Sequence, residues 1–290
     1  MRFTTRFAPS PTGRLHLGHA YSALLAYEAS RSANGNFLLR IEDIDTTRCR
    51  PEFEAGIYED LSWLGLDWPT PARRQSDHFA DYAAAIEKLR GLGVLYRCFL
   101  TRREIAEKAA SAPHAPGEGA DGIVYFGPAQ PMSTDEEQAR LARGDSFAWR
   151  LSLRYSQDLL GEEFPRLVFV EHDAATNTER EIKARPQIHG DVILARKDTP
   201  ASYHLCVVHD DALQNVSHVI RGEDLRSATH IHVLIQKLLG LPTPVYHHHA
   251  LLTGADGKRY AKRDRSLTLA ALREAGVSPA EIRARIGLPA

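Results

Sequence analysis

Two histidines, His16 and His19, stand three residues apart in the string Pro9-Ser10-Pro11-Thr12-Gly13-Arg14-Leu15-His16-Leu17-Gly18-His19. On the first turn of a helix this spacing puts both rings on one face. A helix N-terminus offers unpaired N–H groups and a partial positive charge, so an anion binds there. Two imidazoles beside it can donate to phosphate oxygens as charge grows in a transition state. Gly13 and Gly18 allow the backbone to approach a ligand closely. Taken alone, two histidines so spaced read as readily as a proline-rich turn leading into a core helix.

Two further groups of residues have chemical potential. Glu42, Asp43 and Asp45 follow the apolar run Phe37 to Ile41. Ligands of open α/β sheets sit at the carboxyl ends of strands, which is where these acids fall. A basic string, Gly257-Lys258-Arg259-Tyr260-Ala261-Lys262-Arg263, follows the glycine-rich Thr253-Gly254-Ala255-Asp256-Gly257. A mobile loop of this kind can close over a triphosphate and neutralise charge as pyrophosphate leaves. A solvated acidic loop and a solvated basic loop are the plain alternatives.

These residues need a scaffold. Thr4 to Ala8 reads as a strand stopped by Pro9 and Pro11, because proline cannot donate to a sheet ladder. Leu17 to Arg31 reads as a helix and Phe37 to Ile41 as a strand buried on both faces. Strand, helix, strand is a βαβ unit, hence a parallel sheet. Asp77 to Arg90 is an amphipathic helix with Asp77 as its expected cap. Thr101 and Glu104 fit a capping box. Ser111 to Pro131 is loop-like. Phe147 to Leu153 alternates, and Leu167 to Val170 is a further strand, so the stretch from about 97 to 187 reads as an inserted α+β module with antiparallel strands. Parallel-type strands are expected again at Asp191 to Ala195, Tyr203 to Val208 and Ser217 to Ile220, then a helix from Leu225 to Leu239. The expected fold is a Rossmann-like α/β domain (1–96 and 188–245), the inserted module (97–187) and a loop with a short helical segment (246–290).

The string FAPSPTGRLHLGHA resembles the first signature of class I aminoacyl-tRNA synthetases, with His16-Leu17-Gly18-His19 standing for their HIGH element. In detail it is similar to the glutamyl branch, RFAPSPTGxLHxGxA. Leu39-Arg40-Ile41-Glu42-Asp43-Ile44-Asp45-Thr46-Thr47-Arg48 is similar to that branch's LRIEDxDxxR. The resemblance implies ATP-dependent activation of glutamate. His16, Gly18, His19, Arg259 and Lys262 would then hold ATP, with His16, His19 and Lys262 catalytic and Mg2+ on the phosphates. Arg6, Phe7, Ala8, Pro9, Ser10, Glu42, Tyr203 and Arg221 would hold glutamate. Glu42 is implied for the α-ammonium, while Arg6 and Arg221 suit the second carboxylate, since a guanidinium fork matches a carboxylate in two parallel bonds. The KMSKS element aligns with Arg259-Tyr260-Ala261-Lys262-Arg263, where Arg259 replaces the first lysine and Ala261 the serine.

Only Leu267 to Ala290 follow that loop, too few for the helical anticodon-binding region of full glutamyl-tRNA synthetases. This shape resembles the glutamyl-Q tRNA(Asp) synthetases, which implies transfer of glutamate to the queuosine base in the anticodon stem-loop of tRNA(Asp). A shortened enzyme charging the tRNA 3′ end, a nucleotidyltransferase sharing the HxGH turn, and a non-catalytic RNA-binding descendant remain open. The subfamily's zinc pattern is half lost: Cys98 and Tyr125 stand, but Leu100 and Ala129 occupy the other two positions, so no structural zinc is expected. His247-His248-His249 lies on a strand-like run whose neighbours point to opposite faces, which argues against a shared ion.

Composition fits a soluble cytoplasmic protein, and a monomer is expected. The chain is 43% hydrophobic and 25% charged, with a net charge of -1, so no global excess of basic residues advertises RNA binding. Cys49, Cys98 and Cys206 give no disulfide framework. No apolar run suits a signal peptide or a membrane span.

Overall fold

Pro9 and Pro11 end the first strand, and the chain turns there into a helix. The computed structural model describes residues 2–110, 118–119, 122–128, 130–196, 199–252 and 268–289. In chain order the elements are β1 (Thr4–Phe7), α1 (Leu17–Ser32), β2 (Asn36–Ile41), α2 (Pro51–Trp63), β3 (Arg73–Arg74), α3 (Phe79–Gly91), β4 (Leu95–Cys98), α4 (Arg102–Ala110), β5 (Glu118–Gly119), β6 (Gly122–Ile123) and α5 (Thr134–Ala142). They continue with β7 (Ala148–Leu151), α6 (Leu153–Leu160), β8 (Val168–Asp173), β9 (Thr178–Lys183), β10 (Ile193–Arg196), α7 (Tyr203–Leu213), β11 (His218–Gly222), α8 (Arg226–Leu239), β12 (Val245–His249), α9 (Leu269–Glu274) and α10 (Pro279–Arg285).

The parallel sheet that the βαβ pattern requires is present. β1 pairs with β2 and β2 with β3, both parallel. β11 pairs in parallel with β12, and β12 with β8. The two halves meet at β1 and β11, where the Ser217 N–H donates to the Thr4 carbonyl at 3.0 Å and the Thr4 N–H donates to Ser217 Oγ at 2.8 Å. Both strands start together there, and residues at both far ends line one cleft, so they run the same way. Chain order jumps from β1 to β11 at this junction. A jump of that kind leaves a crevice at the strand ends, where α/β proteins bind ligands.

Four local expectations need correcting. Tyr203 to Val208 opens helix α7 rather than a strand. Its run Leu205, Cys206, Val207 and Val208 is buried on every side, so it carries neither helical nor strand periodicity. Asp191 to Ala195 contributes β10, which pairs antiparallel with β7, in a sheet completed by β4. β8 lies within 97–187 but pairs in parallel with β12 and carries β9 antiparallel on its outer side. Strand direction and partner are tertiary facts that a short apolar run does not encode. Finally, α3 starts at Phe79 after a 3-10 turn, with His78 and not Asp77 at the cap. The capping box at Thr101 does form, through Glu104 Oε2 at 2.7 Å from both the Thr101 N–H and its hydroxyl.

Apolar side chains gather in two cores. One lies among α1, β1, β2, α2, α9 and α10, and the other among α3, α7, α8 and the antiparallel sheet. The cleft at the β1–β11 junction sits between them.

Candidate active site

His16 and His19 form the cap of α1. The Gly18 N–H donates to His16 Nδ1 at 3.1 Å, and the His16 N–H donates to His19 Nδ1 at 3.2 Å. This is a capping box built from imidazoles rather than hydroxyl and carboxylate. Because each Nδ1 accepts, each ring carries its proton on Nε2 and presents that atom as a donor. The rings lie 3.8 Å apart between centroids. Gly18 serves this pair: a Cβ there would sit 3.1 Å from His16 Cε1. Gly13 has open space around it among the described residues.

The turn is tied to the end of β2. The Glu42 N–H donates to the Pro9 carbonyl at 3.0 Å and the Arg50 N–H to the Pro11 carbonyl at 3.0 Å. Glu42 is thereby set beside Ser10. Behind it lies a buried ionic network. Arg40, fully buried, reaches Asp211 at 2.7 Å and Glu42 at 3.1 Å; Arg6 reaches Asp211 at 3.1 Å; Arg73 reaches Asp210 at 3.0 Å. Burial lifts the Glu42 carboxyl above its ordinary range, against the pull of Arg40 and Arg6. Burial also penalises the Asp211 carboxylate, but Arg6 and Arg40 outweigh it and hold the group below the usual range. Helix α7 makes this network, because from its last turn Asp211 faces Arg6 of β1 and Arg40 of β2 while Asp210 meets Arg73 of β3 and Tyr82 of α3.

Arg221 is different. It is 5% exposed, at the end of β11, and its partners are neutral. Nη2 donates to Thr229 Oγ1 at 2.7 Å, Nη1 to Tyr203 Oη at 3.3 Å, and Nε to His248 Nε2 at 3.4 Å. Burial and the Arg221 charge push His248 down to about 2, so its ring is neutral. Nδ1 of that ring donates to Glu171 at 2.8 Å, which leaves Nε2 as the acceptor for Arg221. Among the described residues, no carboxylate lies within ion-pair distance of Arg221. A buried guanidinium without a counter-charge is costly, and an incoming carboxylate relieves that cost.

The eleven described candidates named from sequence line one cleft of about 710 Å³: Arg6, Phe7, Ala8, Pro9, Ser10, His16, Gly18, His19, Glu42, Tyr203 and Arg221. Arg259 and Lys262 lie outside the described residues. Leu252, which lines the cleft, precedes that stretch, and Thr268, which follows it, bridges to His16. The two arginine candidates are unequal, since Arg6 is already paired with Asp211. Sequence reading missed Ser22, His249, Gly222 and Asp224 in the lining. Ser22 follows His19 by three positions, a helical-face signal that was available. His249 had none, for it depends on β12 lying in register with β11, Gly222 opposite His249. A Cβ at Gly222 would fall 2.6 Å from Asp224 Oδ1 and 2.8 Å from Leu251 Cδ2, so a larger residue there would displace those two side-chain ends.

The three successive histidines have three separate partners: His247 Nδ1 with the His172 carbonyl, His248 with Glu171, and His249 Nε2 with Ser22 Oγ at 2.8 Å. Among the described residues no group of three or more His, Cys, Asp or Glu is placed to hold a metal ion. Cys98 is buried; with Leu100 and Tyr125 it lines a separate cleft in the antiparallel module, and Ala129 lies outside the described residues. Among the described residues no helix is long and apolar enough to cross a membrane.

Comparison with known proteins agrees with this geometry. The family pattern described as tRNA synthetases class I (E and Q), catalytic domain, matches residues 2–288. A glutamyl-Q tRNA(Asp) synthetase of Rhodobacter capsulatus is 49% identical over 287 residues, covering 98% of this chain and 99% of that protein. One of Symbiobacterium thermophilum is 40% identical over 288 residues, 94% of this chain and 82% of that one. A crystal structure of a glutamate tRNA ligase from Elizabethkingia meningosepticum, in complex with its amino acid, superposes with a TM-score of 0.72 at 26% identity. It is covered over 52% of its length, against 91% of this chain. A turn that offers imidazole donors at a helix start, a buried cation without a counter-charge across the same cleft, and a pattern match along nearly the whole sequence lead to one assignment: the chain belongs to the class I (E and Q) tRNA synthetases.

Proposed function

We propose that this protein activates glutamate with ATP and transfers it to the queuosine base in the anticodon of tRNA(Asp). The observation that carries the reading is Arg221: a buried guanidinium that only neutral groups hold, facing the same cleft as the α1 cap. An amino acid with a second carboxylate supplies the missing charge, and glutamine would not. The near full-length relationship to glutamyl-Q tRNA(Asp) synthetases supports the choice of acceptor.

In the first step a glutamate α-carboxylate oxygen attacks the α-phosphorus of ATP, and pyrophosphate leaves. His16 and His19 donate from Nε2 to the phosphates at the positive end of α1. Arg259 and Lys262 are assigned to the same phosphates by their place in the sequence motif. Mg2+ belongs to this reading as the companion of the nucleotide substrate. Glu42 takes the α-ammonium, Tyr203 and Arg221 the side chain, and the backbone from Phe7 to Ser10 closes the pocket. In the second step a hydroxyl of the acceptor attacks the activated carbonyl and AMP leaves. The protein works as a cytoplasmic monomer in this reading.

Labelled glutamate offered to tRNA(Asp) with and without queuosine, and to tRNA(Glu), tests the proposal. Labelling that requires queuosine is expected, and labelling of tRNA(Glu) alone overturns it.

A further inference from the structure

Asp60 of α2 is fully buried and lies outside the lining of the cleft. Neither of its carboxylate oxygens has a hydrogen bond among the described residues. Arg273 Nη1 of α9 comes within 3.2 Å of Oδ1, yet it too makes no hydrogen bond there, so charge and not a directed bond holds the pair. Arg273 Nη2 is turned to Glu59 at 2.9 Å. A buried carboxylate held this loosely subtracts from stability. Burial accordingly lifts its carboxyl to about 6, against the pull of Arg273 and Arg14. Folded chains break local rules in this way chiefly where function requires it.

Two guanidinium groups act on Asp60, one from each of two segments that meet at the α1 cap. Arg14 belongs to the turn, two residues before His16. Its side chain lies across α2 at Gly56, one helical turn before Asp60. Gly56 is buried, and a Cβ there would run into Arg14 Nη1, with Cζ and Cδ of the same arginine next nearest at 3.4 and 3.6 Å. Arg273 belongs to α9, which packs against α2. The two segments are joined at their backbones: the Leu269 N–H donates to the Leu15 carbonyl at 2.9 Å, and Thr268 bridges to His16. Leu15, Ile57, Leu61, Leu269 and Leu272 share one apolar core. Two cations drawn toward one point repel each other unless an anion stands with them, and Asp60 is that anion.

We propose that Asp60 is a positioning residue for the activation step: its negative charge draws Arg14 and Arg273 to α2, sets the junction of Leu15 with Leu269, and so fixes the His16 and His19 rings in the cleft. The inference rests on the glutamate activation proposed above. A shift of about 1 Å in groups that hold a reacting centre can cost roughly 10²-fold in rate. A charge behind the cap therefore acts on kcat without touching glutamate.

Two variants test it. Asp60→Asn removes the charge and keeps the shape, while Gly56→Ala displaces the Arg14 guanidinium and leaves Asp60 in place. For both, kcat of glutamate-dependent ATP–pyrophosphate exchange at pH 8 is expected to fall about tenfold, with KM for glutamate within about twofold of the unaltered protein. Neither variant is expected to melt lower, because one loses a buried charge and the other gains a better helix former. The charged groups facing Asp60, namely Arg273, Arg14 and Glu59, are common to the unaltered protein and Asp60→Asn. The ratio of their kcat values should therefore approach one below about pH 5, where Asp60 is itself protonated. Hydrogen exchange of the Leu269 amide at pH 8 is expected to be about tenfold faster in Asp60→Asn, although a purely structural role predicts slower exchange in a stabilised protein. A kcat for Asp60→Asn within about twofold of the unaltered value at pH 8, or a deficit that is the same at every pH, overturns the proposal. If Asp60→Asn does not fold, kcat of Gly56→Ala decides by the same threshold. If the unaltered protein shows no glutamate-dependent exchange, the activity named above is wrong, and the Leu269 amide still decides whether Asp60 sets the junction.

Discussion

Arg221 Nε lies 3.4 Å from His248 Nε2, and the opposite nitrogen of that ring is held by Glu171 at 2.8 Å. The buried carboxylate thus fixes the tautomer that lets a neutral imidazole accept from a guanidinium. Glu171 has its own cations, Arg180 and Arg226, each at 3.4 Å. Its charge orients Arg221 through His248 without cancelling it directly. Glu171→Gln is expected to raise KM for glutamate about tenfold in exchange assays and to change kcat much less, because it loosens a binding group and leaves the phosphate site alone. A fall in kcat at constant KM would count against this arrangement. Arg221→Ala should abolish glutamate activation and leave ATP binding largely intact, since loss of one partner of a buried charge pair costs on the order of 2–5 kcal/mol.

His16 has two duties that substitution can separate. Asparagine accepts a hydrogen bond from a helix N–H as well as most residues do, but it has no Nε2 donor. His16→Asn should keep the unfolding midpoint near that of the unaltered protein and lower the exchange rate by roughly 10²-fold or more. His16→Ala should add a stability loss of about 1 kcal/mol. Equal melting of the two variants would show that the cap is not carried by the ring.

Asp211 holds both Arg6 and Arg40 within the protein interior. Asp211→Asn leaves two buried guanidinium groups short of one charge. Denaturant unfolding should reveal a loss of about 3–5 kcal/mol. A variant of normal stability would mean that water or Glu42 takes over the charge.

Asp60 on α2 is 0% exposed, and neither of its oxygens has a hydrogen bond among the described residues, although Arg273 of α9 stands 3.2 Å away. Burial raises its carboxyl from 3.8 to about 6, with Arg273 and Arg14 opposing. Below pH 4 the folded and unfolded chains are both protonated here, and no stability is lost. As pH rises to about 6 the unfolded chain gives up the proton first, so stability falls across that window. Asp60→Asn removes this penalty. It is expected to raise stability at pH 8 by up to about 3 kcal/mol, at about 1.4 kcal/mol per pH unit, with the gain vanishing toward pH 4. A gain independent of pH would mean the effect is not ionic.

Local chemistry was legible in the linear order of residues. Prolines end β1, histidines three apart share the first turn of α1, and an apolar run followed by acids places Glu42 at a strand end. These follow from the short-range geometry of turns, helices and strands, which a linear string encodes. Packing settled which strands are neighbours, that Tyr203 begins a helix, that Asp211 neutralises Arg6, and that His248 and Glu171 stand behind Arg221. Each of these depends on contacts between residues far apart in the chain. Direction of pairing, burial from several sides and the matching of charges arise only when separate segments are packed against one another.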